Sequence, residues 1–342
     1  MRVWFNHWFS SAVNIIDLIK RNNPDVVIIG SNERMLSPIS TVCDEWYEEP
    51  YGSSCKDSSI YAENCLEFAK KHNIDVIIPR RGQSALSKWK QAFTDIGKKV
   101  MVEDNSVIEL FADKGKMYDA LGKEAICAIP RYRVVNTRND FAAAYRALRK
   151  HTDVVVCKFA RDEGGTSYRF IADTLPFNVL MGQNIRFVTF GEILAALPAE
   201  NEMFEPIILM PYLSGREVSI DCLKTTSGLI ALPREKKHGR IEVVKYSQNK
   251  ELIQTCDKII NRYGIQWPCN IQFRYDSQNT PYVLDINTRM SGGIQYACAI
   301  SGINIPSVAY NKLIGVDKPW YQTCKEGYVS HVETPIVLDT WV

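Results

Sequence analysis

The sequence has no long apolar run, no paired-cysteine spacing, no excess of either charge and no low-complexity stretch. No window approaches the ~18 apolar residues of a membrane-spanning helix. The opening Met1-Arg2-Val3-Trp4-Phe5-Asn6-His7-Trp8 lacks the apolar core of a secretory signal. Lys and Arg number 41 against 39 Asp and Glu, a net charge of +2, so nothing calls for bulk binding to nucleic acid or to an anionic membrane. None of the ten cysteines forms a C-x-x-C pair or lies near a histidine at zinc-finger spacing. Cys157, Cys222, Cys269 and Cys298 fall in apolar runs, where a thiol packs as a small hydrophobe. The set reads as reduced, mostly structural thiols of a cytoplasmic protein. No G-x-G-x-x-G follows the first strand pattern, which weakens a dinucleotide-binding reading, and no internal repeat is visible.

What is present is 342 residues, 46% hydrophobic, enough for two or three compact units with sizeable cores. The first hundred residues alternate buried strand patterns (Arg2–Phe5, Val26–Gly30, Cys43–Glu48, Asp75–Pro79, Lys99–Val102) with helices at Ser10–Arg21 and Ser58–Lys71. That alternation predicts a parallel α/β sheet, with a ligand crevice beyond its strand ends near Gly30 and Pro79–Gly82. From about residue 104 the pattern becomes mixed. Helices are expected at Asp113–Lys123, Asp140–Lys150 and Asn249–Tyr263, with strands at Arg131–Val135, Val154–Phe159 and Ile207–Met210. Hairpins are expected for Arg216–Lys224 with Gly228–Pro233, and for Cys269–Tyr275 with Pro281–Ile286.

Three constellations carry chemistry. Lys158 ends an apolar strand and is followed by Gly164-Gly165-Thr166-Ser167. Glycines let backbone approach a phosphate, hydroxyls add donors and the lysine supplies charge. A plain turn after a strand explains the same residues, and Walker A order is absent. Gln272, Asp285 and Asn287, with Asn270 beside them, lie at period-two spacing on adjacent strand patterns. Such hard oxygen donors suit Mg²⁺, although a solvated sheet face is the plainer alternative. Arg234-Glu235-Lys236-Lys237-His238-Gly239-Arg240 reads as a basic hairpin turn, either solvated or facing a phosphate. Arg80 and Arg81 sit where the first crevice opens, as an anion site or a surface loop.

The order of these motifs resembles the ATP-grasp superfamily, closest to its carbamoyl-phosphate-synthase and biotin-carboxylase branch. The resemblance runs over Asp113-Lys114, Lys158, Gly164-Gly165, Met210-Pro211-Tyr212-Leu213-x-Gly215-x-Glu217-x-Ser219-x-Asp221, Asn270-x-Gln272 and Asp285-x-Asn287-x-Arg289-x-x-Gly292-Gly293. It implies an α/β Rossmann-like pre-ATP-grasp domain over residues 1–104 and a small lid subdomain over 105–210. A large subdomain would occupy 211–342. It also implies roles. Lys114 and Lys158 would contact ATP, Gly164–Ser167 would close over its phosphates, and Met210 and Leu213 would read adenine at a hinge. Glu217 would hold the ribose. Gln272, Asp285 and Asn287 would carry Mg²⁺, with Mn²⁺ as an alternative. Arg289, Arg234 and Lys236 would serve the transferring phosphoryl group and the acceptor.

The chain departs from its relatives at Met210 and Pro211, where acidic or polar residues are commoner, and at Asp285, where glutamate is commoner. Pro211 has no N–H to give, so adenine would use Met210 C=O and Leu213 N–H. The shorter Asp285 arm and the amide of Gln272 suggest metal arriving with ATP. The implied activity is an ADP-forming carboxylate–amine ligase acting on small molecules, with a homodimer compatible. Bicarbonate activation and a non-catalytic ATP-binding subunit are the alternatives. The family also has members encoded near tellurite-resistance or nucleoside-modification genes, which this chain resembles.

Overall fold

The computed structural model describes residues 1–50, 58–162, 164–173, 186–199, 202–237, 243–316, 320, 326–332 and 334–338. His238, Gly239, Arg240, Cys55 and Cys324 lie outside them. The chain begins with β1 (Arg2–Asn6), α1 (Ala12–Asn22), β2 (Val27–Asn32), β3 (Glu45–Glu48), α2 (Ser58–Lys71) and β4 (Val76–Pro79). Short helices α3 (Gln83–Lys88) and α4 (Lys90–Asp95) lead to β5 (Lys99–Val100) and α5 (Asn105–Ala112). The five strands form a parallel sheet in the order β3-β2-β1-β4-β5. The central strands are covered on both faces, which is why β1, β2 and β4 carry apolar runs, while edge strands β3 and β5 do not. Val3, Phe5, Ile28, Val76 and Ile78 pack toward α1, while Trp4, Ile29, Ile77 and Val100 join the residues of α2, α3 and α4.

The next segment holds α6 (Lys114–Lys123), β6 (Arg133–Val135), α7 (Arg138–Arg149), β7 (Val155–Phe159), β8 (Arg169–Ala172), β9 (Phe187–Thr189), α8 (Phe190–Ala196) and β10 (Ile207–Pro211). Its sheet runs β6-β10-β7-β8-β9. The register sets Ile208 against Lys158, Met210 against Val156 and Val156 against Phe170. Because side chains alternate, the opposite face carries Val155, Cys157, Ile171, Ile207 and Leu209, which form a core with α7 and α8. Lys158, Met210 and Phe170 are thereby left on the face away from that core.

The last segment holds β11 (Glu217–Thr225), β12 (Gly228–Lys237), β13 (Val243–Tyr246), α9 (Lys250–Tyr263), β14 (Cys269–Tyr275), β15 (Pro281–Asn287), α10 (Ile294–Ser301), α11 (Ile305–Ile314) and β16 (Gly327–Ser330). Its sheet order is β15-β14-β11-β12-β13-β16. Leu223, Ile230, Leu232 and Tyr246 of this sheet, with Ile294, Ala297, Ala309 and Tyr310, share one core with Val3, Phe5 and Ile16.

The chain divides into two compact units. The first comprises Met1–Glu109, Val218–Gln272 and Ile286–Val342; the second comprises Leu110–Glu217 and Phe273–Asp285. The expected α/β and parallel-sheet character holds, and most expected elements form within a few residues of their predicted bounds. One reading changes. The basic run was expected at a turn, but β12 continues to Lys237 and pairs with β13, so Arg234–Lys237 are strand residues. Helix starts follow capping chemistry: the side chains of Asp113, Thr137 and Asn249 accept from the amides of Lys116, Asp140 and Leu252. Ser11, the N-cap residue of α1, makes no side-chain cap hydrogen bond.

Candidate nucleotide and metal site

Within the second unit, Lys158 leaves the middle sheet on its core-free face. Burial pushes its ammonium down to about 8, against the upward pull of Asp285. Lys114, the first residue of α6, is itself buried. Its Nζ donates to Asp162 C=O at 2.8 Å and lies 3.7 Å from Asp285 Oδ1. Two lysines and one aspartate thus occupy one neighbourhood, a net positive site suited to an anion.

The glycine turn is built on Asp162. Its carboxylate accepts from Thr166 Oγ1 at 3.0 Å and from the Ser167 amide at 3.4 Å. Ser167 Oγ in turn accepts from the Phe159 amide. Gly164 and Gly165 sit at φ +71° and +65°, left-handed conformations that favour glycine, and nothing stands within 4 Å of where a Cβ would be. A cavity of about 430 Å³ beside this turn is lined by Cys157, Phe159, Arg169, Ile193 and Ile207 as well as Lys158, Thr166 and Ser167, and so lies toward the side of the sheet that packs on α8 rather than on the Lys158 face.

The expected hinge begins at the end of β10. Met210 and Leu213 are buried, and the Tyr212 amide donates to Val154 C=O. Sequence reasoning missed two features here. One is an aromatic cluster: Phe170 lies edge-on to Tyr212 and Tyr168, and stacks on Phe187. The other is Arg274, whose Nη1 reaches Glu217 at 3.3 Å while Nη2 donates to Tyr212 Oη at 2.9 Å. Arg274 Nε is buried without a hydrogen-bond partner among the described residues. Glu217 therefore carries a fixed cation beside it. The alternation of Gln272 with Arg274 along β14 was a signal that could have pointed to this arginine.

Within the first unit, Asn270, Gln272, Asp221 and Arg234 form a hydrogen-bonded network. Gln272 Nε2 donates to Asn270 Oδ1 at 3.0 Å. Asn270 Nδ2 donates to Asp221 Oδ1 at 2.8 Å, and Arg234 Nε to Asp221 Oδ2 at 2.9 Å. Arg234, expected in a basic hairpin turn that was either solvated or facing a phosphate, is thus a mostly buried, ion-paired strand residue, its side chain 14% exposed. Arg289 follows β15 and donates from Nη1 to Met290 C=O. Lys236 lies on β12. Asp285 and Asn287 are two apart on β15 and so project from one face of that strand.

Gln272, with its amide nitrogen committed to Asn270, has its Oε1 left as an acceptor, a hard oxygen of the kind Mg²⁺ takes. Among the described residues no three His, Cys, Asp or Glu side chains cluster as a metal site. Cys157, Cys43 and Cys298 are thiols pushed up to about 12 by burial, which leaves them no resting thiolate. The eight described cysteines are all free. No described helix is long and apolar enough to cross a membrane.

The fold and the order of the motifs are similar to those of ATP-grasp proteins. Residues 203–335 match the family model described as "ATP-grasp in the biosynthetic pathway with Ter operon". The carbamoyl phosphate synthase large chain of Clostridium acetobutylicum is 20% identical over 87% of this chain and 26% of its own length. The arginine-specific large chain of Geobacillus stearothermophilus is 23% identical over 89% and 28%. This chain thus spans about a quarter of the length of those relatives. Among solved structures, the biotin carboxylase domain dimer of Hydrogenobacter thermophilus 2-oxoglutarate carboxylase, with MgADP and bicarbonate, aligns at TM-score 0.66. It is 16% identical, covering 96% of this chain and 73% of that one. The L-amino acid ligase of Bacillus licheniformis aligns at 0.65, 14% identical over 92% and 74%. N5-carboxyaminoimidazole synthetase of Staphylococcus aureus, complexed with ADP, aligns at 0.65, 13% identical over 93% and 78%.

Proposed function

We propose that this protein is an ADP-forming ligase that activates a small-molecule carboxylate as an acyl phosphate for attack by an amine. The observation that carries the reading is the half-buried Lys158 in one neighbourhood with the buried Lys114 and with Asp285, on the face of the sheet away from the α7–α8 core. Lys158 and Lys114 take the nucleotide phosphates, and the Gly164–Ser167 turn closes over them with backbone N–H and hydroxyl donors. Met210 C=O and Leu213 N–H read adenine, and Glu217, steadied by Arg274, accepts from the ribose hydroxyls. Mg²⁺ held by Gln272, Asp285 and Asn287 would neutralise charge on the transferring phosphoryl group. Arg289, with Arg234 and Lys236, orients that group and the acceptor. A substrate carboxylate oxygen takes the γ-phosphoryl group as its bond to the ADP oxygen breaks. The amine nitrogen then forms the bond to the acyl carbon, and phosphate leaves with the C–O electron pair. Such chemistry needs positioning and charge more than a protein nucleophile.

The test is ADP-versus-AMP analysis over pooled carboxylates and amines, with hydroxylamine added to trap acyl phosphate. ADP plus a hydroxamate is expected; AMP would sink the mechanism. The matches to carbamoyl phosphate synthases and a biotin carboxylase domain favour bicarbonate activation as a second reading, for which ADP release would depend on bicarbonate alone. ATP binding with no substrate-dependent ADP release would instead mark a non-catalytic subunit. A homodimer, as in the carboxylase domain, is the expected assembly for light scattering to test.

A further inference from the structure

Asp221 is 1% exposed, in the middle of β11. A buried carboxylate is costly unless donors surround it. Three do: Arg234 Nε at 2.9 Å, Ser291 Oγ at 2.6 Å and Asn270 Nδ2 at 2.8 Å. We infer that Asp221 is a positioning residue, fixing the Arg234 guanidinium at one end of the site and, through Asn270, the Gln272 amide at the other. The inference rests on the ligase reading for what those two groups do.

At the arginine end, Asp221 holds Nε while Ser291 Oγ accepts from Nη2 at 3.0 Å. The guanidinium lies over Gly293, where a Cβ would come within 2.8 Å of Cζ and Nη1. With its charge offset by Asp221 and with Nε–H and one Nη2–H engaged, Arg234 keeps only the Nη1/Nη2 end of its fork for a ligand, so the direction from which an oxygen can be gripped is fixed.

At the amide end the logic is directional. An ionised carboxylate only accepts, so it draws Asn270 Nδ2 toward itself. That sets Asn270 Oδ1 toward Gln272, whose Nε2 donates to it at 3.0 Å, while the Ser219 hydroxyl lies 3.0 Å from Nδ2 and 3.2 Å from Oδ1. Gln272 is then obliged to present Oε1, the only one of its two amide atoms that can ligate a cation. A neutral amide at 221 removes the direction from this relay.

The test uses ¹⁵N-labelled full-length protein and two nucleotide probes. In the wild type, the Arg234 Nε–H signal, assigned by its loss in Arg234→Lys, should be protected from solvent exchange. In Asp221→Asn that protection should vanish. Affinity for the β,γ-imido analogue of ATP with Mg²⁺ should fall about tenfold, roughly the worth of one charge-assisted hydrogen bond. Affinity for ADP in EDTA should stay within about twofold. Ser291→Ala, which leaves the carboxylate in place, should show a smaller effect of the same kind and covers the case in which Asp221→Asn fails to fold. An Nε–H that stays protected in Asp221→Asn overturns the inference. So does equal weakening of both probes, the mark of a merely structural role. A wild-type protein that binds neither probe defeats the ligase reading, while the exchange measurement still decides whether Asp221 anchors Arg234.

Discussion

Replacing Lys158 by Met should make the protein more stable while removing its hold on nucleotide. Burial takes the Lys158 ammonium from its ordinary 10.5 to about 8, net of the attraction of Asp285. At ~1.36 kcal/mol per pH unit, that displacement makes the charged form cost about 3 kcal/mol in the folded chain. Methionine keeps the apolar stem and omits the charge, but Asp285 loses one neighbouring cation, so a net gain of about 1–3 kcal/mol is expected. The sign follows from linkage. Below pH 8 Lys158 is protonated in both folded and unfolded chains, and the full cost is present. Between 8 and 10.5 the folded chain releases the proton first, so the cost fades as pH rises. Melting followed by circular dichroism should therefore place Lys158→Met about 3–8 °C above the wild type at pH 7. The gap should narrow toward pH 10, and MgATP should raise the melting temperature of the wild type alone. A variant that melts below the wild type at pH 7, or a gap insensitive to pH, would refute the account of Lys158 as a half-buried, partly desolvated cation.

Asp285→Ala and Asn287→Ala should each abolish ADP formation with an unchanged far-ultraviolet spectrum; near-normal turnover in either would remove it from the metal set. Gly82→Ala should cost at least about 1–3 kcal/mol, measurable by thermal melting, because its φ is +65° and a Cβ would stand 2.2 Å from the Tyr61 ring. Buried Glu103 accepts from the Gln266 and Trp267 amides, and burial raises its carboxyl to about 6. Its protonated form is thus favoured in the folded chain. The stability this supplies is full below about 4.5, the ordinary value, and is lost as pH rises through about 6. The stability difference between wild type and Glu103→Gln should change by about 2 kcal/mol across that window, and a constant difference would argue against it.

The parts of the fold that were legible in the sequence are those with strong local signals. β1, β2 and β4 are unbroken apolar runs, and α2 and α9 lie within a residue of their predicted limits. α10 and α11 were not visible, because most of their residues are buried and no polar stripe marks a helical period. Short α3 and α4 offered too few turns for any period. In the site, residue types and order were readable, but partners were not. Arg234 meets Asp221 because the hairpin register sets Ser219 against Arg234, a fact of tertiary pairing. Lys114, which composition would put at the surface, is buried because it ties α6 to Asp162. Arg274 escaped notice for the same reason, since its value lies in Glu217 and Tyr212 rather than in a motif.

The core that joins Val3, Phe5 and Ile16 to Leu232, Tyr246 and Tyr310 limits how this protein can be rebuilt. An exchange of the first hundred residues to recruit another substrate would have to bring a matching apolar face for β11, β12 and α11, or leave both halves of that core wet.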